Sequence, residues 1–402
     1  MPSYSGVWNL PAQMQAKANL QWPQSPGAPT NVSATAGDTQ ATVTFTQPTF
    51  TGIPAGVTGY LATSTPGGFT ATGASSPLTV TGLTNGTAYT FAVQATNGVQ
   101  YGPAGTSGSV SPTPPPIGLF AGGEGDYYSN IISKITISTT GNATDFGDLI
   151  TATNRMASAG NTTKALFAGG STGSLTNVIQ SVLYATTGNA TDFGDLISAT
   201  RDLTSSANSV FALFAGGASP SATNTIAYVT IASAGNASDF GDLLGTDTIN
   251  MFNGVCSNGT RGIFAGGAIQ NIIQYVTIAS AGNASDFGDL TMPNNWWYKG
   301  AALSNSTRGV FGGNQDIDNT IHYITISSLG NSADFGDLSI SRANPAGCSS
   351  PTRGVFGGSR AAEFVNVMDY ITINSLGNAT DFGDLLDLVE LRTACSSAHG
   401  GL

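Results

Sequence analysis

The sequence predicts an all-β protein made of two modules, and three observations support this fold class. Charged residues are only 9% of the 402 residues and glycine fills 53 positions, which is typical of short strands and tight turns rather than of helices. Residues 25–111 show strand-like alternation of Thr, Val, Phe and Tyr. Beyond residue 116, one motif occurs six times in steps of 47 or 48 residues, which indicates a repeated structural unit.

The segment of residues 1–24 fits neither module. It carries two of the four tryptophans, and Pro11 to Leu20 is compatible with a short helix that has proline in its first turn. The segment is too short to bury its own apolar side chains. It therefore packs on the following domain or docks into a partner protein, and its aromatic content favours the partner. The expected anchoring residues are Tyr4, Trp8, Leu10, Met14, Leu20 and Trp22.

The next module, residues 25–111, has the features of a β-sandwich. The stretch from Leu83 to Tyr89 has the pattern of a tyrosine corner, in which the phenol hydroxyl hydrogen-bonds a nearby backbone group. With this corner and its alternating strands, the module resembles a fibronectin type III domain. It departs from that family at Val43 and Phe45, where the second strand usually has tryptophan. The resemblance implies a spacer or adhesive unit and says little about function.

The repeat domain, residues 117–402, follows a stiff proline-rich linker at residues 112–116. Each unit has an apolar strand ending in glycines, an alternating strand, an Asp-Phe-Gly-Asp-Leu stretch and a strand of small residues. Four short strands in about 47 residues are the signature of one β-propeller blade. The Phe and Leu of the third segment are expected to pack between blades. The six Phe residues are Phe146, Phe193, Phe240, Phe287, Phe335 and Phe382.

The order of these segments at the two ends of the repeat domain predicts how it closes. Residue 118 already lies in the first segment of a unit, and the chain finishes with a small-residue segment at residues 393–397. The C-terminal strand should therefore pair with the strand that begins near Gly118. That pairing gives a closed six-bladed propeller without exposed edge strands.

The glycine pairs and the blade period are similar to those of kelch-like propellers. The tandem of a short aromatic N-terminus, a fibronectin type III module and Gly-Asn-Ala-Thr-Asp-Phe-Gly-Asp-Leu repeats resembles virion structural proteins of tailed bacteriophages, particularly fibre or decoration proteins. The resemblance implies a non-enzymatic virion protein, assembled in the host cytoplasm and present in multiple copies. Residues 1–24 would bind other virion proteins, and the propeller would contact host-surface glycans through weak, multivalent binding.

Two alternatives to host attachment stay open. A capsid or tail decoration protein would have a purely structural role. A propeller glycosidase is more remote, because it needs two carboxylates in distinct settings in one pocket, whereas the repeated aspartates have similar settings. No catalytic centre is expected, since His322 and His399 fall in different blades and nothing pairs either of them with a nucleophile.

The candidate ligand-binding residues are Trp296, Trp297 and Tyr298. These three consecutive aromatics occupy a connection in which other copies carry pairs such as Asn154-Arg155. They either stack on sugar rings or contact a protein, or they cover the bottom of the ring. Connections between strands are the usual binding surfaces of such scaffolds.

Charge and composition exclude several classes of partner. The net charge of −11 argues against nucleic acid. No apolar run is long enough to insert into a membrane, and no secretory signal is visible. No cofactor or metal is expected. Asn142, Asp145 and Asp148 offer oxygen atoms that calcium prefers, but their spacing matches no known calcium loop. We expect instead an asparagine with positive φ and carboxylates that cap turns.

Two further sets of residues occupy equivalent positions in several copies. Cys256, Cys348 and Cys395 should be buried and free of disulfides, because equivalent positions in different copies should lie far apart. Basic residues stand three positions before the Phe of the first segment in four copies, where charged strand ends are usually solvated. These basic residues are Lys164, Arg261, Arg308 and Arg353.

Overall fold

A computed structural model describes residues 11, 13–15, 24–53, 55–219, 221–245, 254–267, 271–291, 300–314 and 317–402. The chain divides into two compact units, Met1–Pro115 and Pro116–Leu402. Residues 11 and 13–15 are helical, and the other regular elements are strands. Of the predicted anchoring residues, Met14 is exposed, and the rest lie outside the described residues.

The first unit is a sandwich of two antiparallel sheets. One sheet has the order β1-β2-β5 and the other has the order β4-β3-β6-β7. Strand β2 alternates between buried and more exposed residues, so its apolar residues face the core as the sequence predicts. The strands are β1 (Thr30–Gly37), β2 (Gln40–Thr46), β3 (Gly59–Thr65), β4 (Thr70–Gly73), β5 (Leu78–Thr81), β6 (Thr90–Thr96) and β7 (Tyr101–Thr106).

The core of the sandwich contains the predicted tyrosine corner. The backbone N–H of Thr84 donates to the hydroxyl of buried Tyr89 at 3.1 Å. Phe45, in the strand that lacks the expected tryptophan, is buried against Tyr60 with the ring centroids 4.6 Å apart. Phe45 and Tyr60 therefore supply aromatic packing in this core without a tryptophan.

The second unit contains, within the residues described above, six four-stranded antiparallel sheets, numbered R1 to R6. R1 consists of β8 (Ile117–Ala121), β9 (Ile131–Thr136), β10 (Thr144–Asp148) and β33 (Thr393–Ser396). R2 consists of β11 (Ala157–Gly160), β12 (Lys164–Ala168), β13 (Val178–Leu183) and β14 (Thr191–Asp195). R3 consists of β15 (Thr204–Ala207), β16 (Phe211–Ala215), β19 (Thr225–Thr230) and β20 (Ser238–Asp242), with a small hairpin of β17 (Ala218–Ser219) and β18 (Ser221–Ala222).

The remaining sheets repeat the same plan. R4 consists of β21 (Gly254–Ser257), β22 (Arg261–Ala265), β23 (Ile272–Thr277) and β24 (Ser285–Asp289). R5 consists of β25 (Ala301–Ser304), β26 (Arg308–Gly312), β27 (Asp318–Thr325) and β28 (Ala333–Arg342). R6 consists of β29 (Ala346–Ser349), β30 (Arg353–Arg360), β31 (Phe364–Thr372) and β32 (Thr380–Asp384).

The strand that completes R1 comes from the other end of the unit. β33 pairs antiparallel with β8, with Thr393 opposite Ala121 and Ser396 opposite Gly118, which is the pairing that the segment order predicts. β33 also contacts β11 of R2 and β29 of R6. The small-residue strands contact one another in the order β33, β11, β15, β21, β25, β29 and β33 again. We call these six the inner strands.

The apolar core of this unit lies between neighbouring sheets. Phe146 of R1 is buried in one cluster with Phe167 and Val182 of R2, and Phe193 of R2 is buried with Phe214 of R3. The Phe of the repeated motif thus packs between sheets, as predicted. Burial of one such side chain contributes about 1.5–3 kcal/mol, so the repeated contact is a major source of stability.

The repeated motif also joins each sheet to the next by three hydrogen bonds, which we call the clasp. At the R1–R2 junction, Gly188 N donates to Phe146 O at 2.8 Å, Ala190 N donates to Asp148 O at 2.7 Å, and Asp148 N donates to the side-chain oxygen of Asn189 at 3.1 Å. Across the described part of the chain, the clasp occurs at all six junctions. The last clasp joins Asp384 of R6 to the Gly-Asn-Ala segment of R1, including Asn142.

The clasp corrects both predictions about the polar residues of the motif. Positive φ belongs to Gly141, at 152°, and not to Asn142. The side-chain oxygen that accepts backbone N–H is that of the asparagine, whereas the prediction assigned that role to the carboxylates. The asparagine side chain therefore links two sheets.

The basic residues before the first-segment Phe are not solvated strand ends, so that prediction is wrong. The guanidinium of Arg353 lies 4.3 Å from the ring centroid of Tyr370 and donates to Ile137 O of R1 at 3.1 Å. Arg261 and Arg308 likewise each stack on a tyrosine of their own sheet. Each also donates to a backbone oxygen of the next sheet, which is R5 for Arg261 and R6 for Arg308. Lys164 stacks on Phe193 with its Nζ 5.1 Å from the ring centroid. These cations connect strands and sheets through half-buried contacts.

Candidate functional site

The inner strands enclose a cavity of about 150 Å³ lined by residues from all six of them. The second residue is glycine, alanine or serine in five of these strands and valine in the sixth, and at one point the fit allows no side chain. A Cβ on Gly347 would lie 2.8 Å from the backbone oxygen of Ala302 on the neighbouring strand. Small residues are therefore needed for the close approach of the strands and leave the space between them open. The six residues are Ser158, Ser205, Val255, Ala302, Gly347 and Ala394.

At one end of the cavity, serine hydroxyls connect successive inner strands. Ser396 Oγ donates to Ser349 O at 2.6 Å, and Ser349 Oγ donates to Ser304 O at 2.7 Å. Ser304 Oγ then donates to Ser257 O at 2.9 Å, and Ser257 Oγ donates to Ala207 O at 2.8 Å. These bonds join the backbones of successive inner strands through side-chain hydroxyls.

The segment of residues 397–402 covers this end of the cavity. Its His399 Nε2 lies 2.8 Å from Gly160 O, and its Nδ1 accepts the N–H of Gly401 at 3.0 Å. Because Nδ1 accepts, the neutral ring carries its proton on Nε2 and donates it to Gly160. Gly400 N donates to Ser304 O at 3.1 Å. Burial lowers the pKa of His399, and the hydrogen bond to Gly160 opposes that shift.

The opposite end, where the inner strands begin, is the mouth. The residue two positions before the strand has a left-handed backbone in each of the four sheets where that residue is described, and the sequence did not reveal this. Non-glycine residues rarely adopt that conformation, which costs free energy and concentrates at functional sites. Arg155 N donates to Leu391 O at 3.1 Å and Asp202 N donates to Arg155 O at 3.0 Å, so these corners are joined to one another. The four residues are Arg155, Asp202, Asn344 and Leu391.

Charged side chains at the mouth are paired. Arg155 Nη1 lies 3.3 Å from a carboxylate oxygen of buried Asp202, and the more exposed Arg201 lies 3.6 Å from the same oxygen. Arg392 Nη2 lies 2.7 Å from Asp387. Burial lowers the pKa of Arg392 and the charge of Asp387 raises it. The guanidinium nevertheless stays protonated, because its ordinary pKa is far above neutral.

Two asparagines at the mouth each have one satisfied and one unsatisfied end. Asn344 donates its amide to Glu390 at 2.7 Å and Asn154 donates its amide to Glu124 at 2.5 Å. Within the described residues, the side-chain oxygen of each asparagine is buried without a hydrogen-bond partner. Asn154 and Arg155 occupy the connection that carries the aromatic triplet in another copy, and the sequence analysis did not predict them as site residues.

The predicted ligand-binding residues Trp296, Trp297 and Tyr298 lie outside the described residues. A different aromatic pair, which the sequence reasoning missed, is exposed in the loop between β8 and β9. Tyr127 has 87% of its surface exposed and Tyr128 has 38%. The loop is attached to the mouth, because Glu124 exchanges backbone hydrogen bonds with Glu390. The two adjacent tyrosines are the sequence feature that could have identified this loop as a candidate binding surface.

The cysteines line or flank the cavity but have no exposed thiol. All three are free and buried. Burial raises the pKa of Cys395 to about 11 and raises that of Cys348 as well, so both are protonated at neutral pH. The expectation that equivalent positions lie far apart is wrong for neighbours, since Cys348 and Cys395 stand on the adjacent strands β29 and β33. They nevertheless pack into different clusters, with Phe120 and Leu119 respectively.

The described residues contain neither a cluster suited to a metal ion nor a membrane-spanning helix. No group of three or more His, Cys, Asp or Glu residues lies close enough to hold a metal ion. No described helix is both long and apolar enough to cross a membrane.

Comparison with known proteins identifies the first unit and the fold class. Residues 27–111 match the family model described as "Fibronectin type III domain". The solved structure "Structure of YjhT" is similar with a TM-score of 0.50 and 12% identity, over 66% of this chain and 97% of that one. At this identity the likeness shows only an all-β fold. No curated protein matches the sequence.

Proposed function

We propose that sheets R1 to R6 are the blades of a six-bladed, kelch-like β-propeller closed by β33. The propeller occupies residues 117–402 and follows an anchor at residues 1–24, a sandwich at 25–111 and a linker at 112–116. We further propose that the chain is a non-enzymatic virion protein of a tailed bacteriophage. In this view it is a fibre or appendage subunit that presents the propeller to glycans on the host surface.

The observation that supports this proposal most is that the repeated motif joins neighbouring sheets. The sequence that recurs most faithfully forms the clasp, and the clasp joins R6 back to R1 as well as each sheet to the next. Selection for this motif therefore favours a rigid closed scaffold. The connections between strands differ between copies, and a scaffold protein usually carries its recognition surface in such connections.

The glycan part of the proposal is supported by the chemistry of the mouth. Sugar recognition combines an aromatic face with paired polar groups that exchange hydrogen bonds with hydroxyls. The exposed Tyr127 provides the first, and Arg155, Asp202 and Asn344 provide the second. Binding at one such site is weak, so multiple copies on a particle would supply avidity.

The anchoring part of the proposal assigns residues 1–24 to a contact with other virion proteins. It rests on the aromatic content of the segment and on its length, which is insufficient for a core of its own. Neither nucleic acid nor membrane insertion is part of the proposed role.

The test compares the full chain with a chain lacking residues 1–24. The full chain should bind host cells and an array of host-surface glycans, and the shortened chain should bind both but fail to join particles. Incorporation into particles without any cell or glycan binding would instead favour a decoration protein. Release of sugars from host polysaccharide by the full chain would contradict the non-enzymatic role and favour a glycosidase.

A further inference from the structure

We propose that residues 1–24 of one copy bind an exposed apolar patch at the R6–R1 junction of a second copy, so that copies join head to tail. The patch consists of Tyr127, Tyr128, Leu386 and Leu388, which we call the junction patch. The proposal rests on the anchoring role proposed for residues 1–24 and names their partner. It is carried by the fixed position of the junction patch, by its excess of large apolar residues and by its charge.

The two segments that carry the junction patch are fixed to each other by hydrogen bonds. Glu124 N, in the loop between β8 and β9, donates to Glu390 O at 2.8 Å, and Glu390 N donates to Glu124 O at 2.9 Å. Ser129 Oγ of the same loop donates to the carboxylate of Asp387 at 2.9 Å. The tyrosines of the loop therefore lie beside the leucines of the connection from R6 to R1, and all four side chains form one surface.

Comparison with R2 shows that the fold does not require a tyrosine in this loop. In R1, Gly125 N donates to Tyr127 O at 3.1 Å, and in R2 Thr172 N donates to Ser174 O at 3.0 Å. The equivalent positions of the two loops are 47 residues apart (172 minus 125). The same turn thus forms with serine in the place of Tyr127. Because the loop does not need the exposed ring, the ring is available for a partner.

The connection from R6 to R1 also carries a larger apolar residue than its counterparts. Leu388 stands three residues after the Leu of the repeated motif, where the two following connections have Ala152 and Ala199. Leu388 is 55% exposed, so the larger side chain adds apolar surface without filling the core. Tyrosine rings next to aliphatic side chains are typical of the contact surface for another protein.

The segments around the junction patch have an excess of negative charge. Asp387 pairs with an arginine at 2.7 Å, and Glu390 has another arginine at 3.7 Å. Among the ion pairs of the described residues, none includes Glu124 or Asp126. Asp126 is exposed next to Tyr127. Two junction patches would therefore repel each other, and an apolar partner with positive charge fits better.

Residues 1–24 have the complementary composition. Lys17 is the only charged side chain before Asp38, so the segment is positive although the whole chain has a net charge of −11. The segment also has two of the four tryptophans, and its Met14 is exposed. An ammonium group is attracted both to carboxylates and to the face of a tyrosine ring. The segment and the junction patch are thus two apolar surfaces of opposite charge in one chain.

The contact joins two different surfaces, so it repeats from copy to copy instead of closing a symmetric dimer. One end of such a filament has a free segment 1–24, which can join the particle. The other end has a free junction patch and a free mouth, which face the host. The junction patch is small, so the contact is weak in dilute solution and is strengthened where many copies are held together.

The first experiment measures self-association of the full chain by sedimentation velocity over a series of rising concentrations. The average mass of the wild type should rise with concentration. Tyr127→Ser combined with Leu388→Ala introduces residues that other copies carry, and it should raise the dissociation constant at least about tenfold. The control Leu376→Thr replaces an exposed leucine by the threonine that R2 has at Thr187, and it should leave association unchanged. A wild type that stays monomeric throughout, or equal association of the double variant, would refute the proposal.

The second experiment exchanges charges between the segment and the junction patch. Lys17→Glu and Asp126→Lys should each weaken association at least about threefold, because each places like charges at the contact. The chain that carries both substitutions should associate more tightly than either single variant. Single variants that associate as the wild type does, or a combined variant that is weaker than both, would rule out this contact.

Binding to particles separates this proposal from the proposed function. A chain that does not self-associate but joins particles through residues 1–24 would refute the contact between copies and leave the anchor standing. A chain lacking residues 1–24 that still joins particles would refute the anchor itself, whatever association is measured in solution.

Discussion

At the scale of single residues, the glycine in each Asp-Phe-Gly stretch decides whether neighbouring sheets can join. In R2 this residue is Gly194, whose φ is +149°. A Cβ there would lie 2.3 Å from Gly235 O in the next sheet. Gly188 has nearly the same φ, +155°, but the space around its missing Cβ is empty. A side chain at Gly188 would therefore add backbone strain alone, whereas a side chain at Gly194 would add both strain and a clash with the next sheet.

We expect Gly188→Ala to lower the free energy of unfolding by about 1–3 kcal/mol, the cost of backbone strain. Gly194→Ala should cost about 1–3 kcal/mol more, because its methyl group must displace the backbone of the next sheet. Denaturant unfolding of the two variants measures the difference. Equal losses would show that the clasp tolerates a side chain, contrary to the geometry described above.

His399 makes a pH-dependent contribution to stability. Its pKa in the folded protein lies below the ordinary value of 6.5, so the unfolded chain binds the proton more tightly. The contribution is complete above pH 6.5 and is lost as the pH falls through the lower, folded pKa. Protonation would also place a hydrogen on Nδ1, which accepts the Gly401 N–H in the neutral form.

We therefore expect the free energy of unfolding of the wild type to fall, relative to that of His399→Gln, as the pH is lowered from 6.5. Glutamine can still donate to Gly160 O but does not titrate. The other histidine, His322, also has its pKa lowered by burial, with Asp334 and Asp318 opposing the shift. Its variant His322→Gln is the control, which should retain the part due to His399. A constant difference between the wild type and His399→Gln across this range would contradict the assignment.

At the scale of elements, β33 is distinctive because it is the last strand of the unit in sequence but pairs in R1, whose other strands are the first three of the unit. Its loss would expose the edge of β8 and remove one wall of the cavity. Exposed edges promote association between chains. The segment after it, residues 398–402, contributes hydrogen bonds at the cavity end but no strand.

Two truncations separate these contributions. Removal of residues 393–402 should abolish cooperative unfolding of the second unit and produce aggregates that size-exclusion chromatography detects. Removal of residues 398–402 alone should leave a monomeric, cooperatively folded chain with a lower melting temperature. Identical behaviour of the two chains would mean that β33 does not hold the unit together.

The element boundaries were accessible from the sequence because one pattern recurred, so each copy checked the others. The repeated pattern predicted four strands per unit, and the order of the segments predicted that the last strand, β33, pairs with β8. The clasp did not, because a hydrogen bond between Asp148 and Asn189 joins residues of different copies whose approach depends on how the sheets are placed. The roles of Arg353 and the other half-buried cations were missed for the same reason.

The candidate site was less accessible than the fold. The sequence predicted a site at three consecutive aromatic residues, because such a triplet can be recognised without knowing the fold. The mouth instead depends on a backbone conformation at Arg155, Asp202 and Asn344, and these residue types have no pattern in common. Only their constant distance from the small-residue strand could have identified them, once that strand had been placed beside a cavity.

At the scale of the whole molecule, each unit has its own apolar core. Among the described residues, the core cluster of the sandwich contains residues between Val32 and Val110, and the clusters of the second unit contain residues beyond it. We expect residues 24–115 produced alone to fold with the melting temperature that the sandwich has in the full chain. Calorimetry of both tests this, and a shift of more than a few degrees would indicate that the units depend on each other.

The clasp between R6 and R1 is chemically the same as the other five, and this has a consequence for assembly. A chain that has folded its sheets but has not yet joined R6 to R1 carries two donors and one acceptor without partners at Gly141–Ala143, and the complementary groups at Phe382–Asp384. Nothing in those groups distinguishes an intramolecular partner from the same groups of another molecule. We therefore expect molecules that have not formed the R6–R1 clasp to polymerise head to tail into filaments at high concentration during synthesis, and the speed at which R6 joins R1 to set the yield of soluble protein.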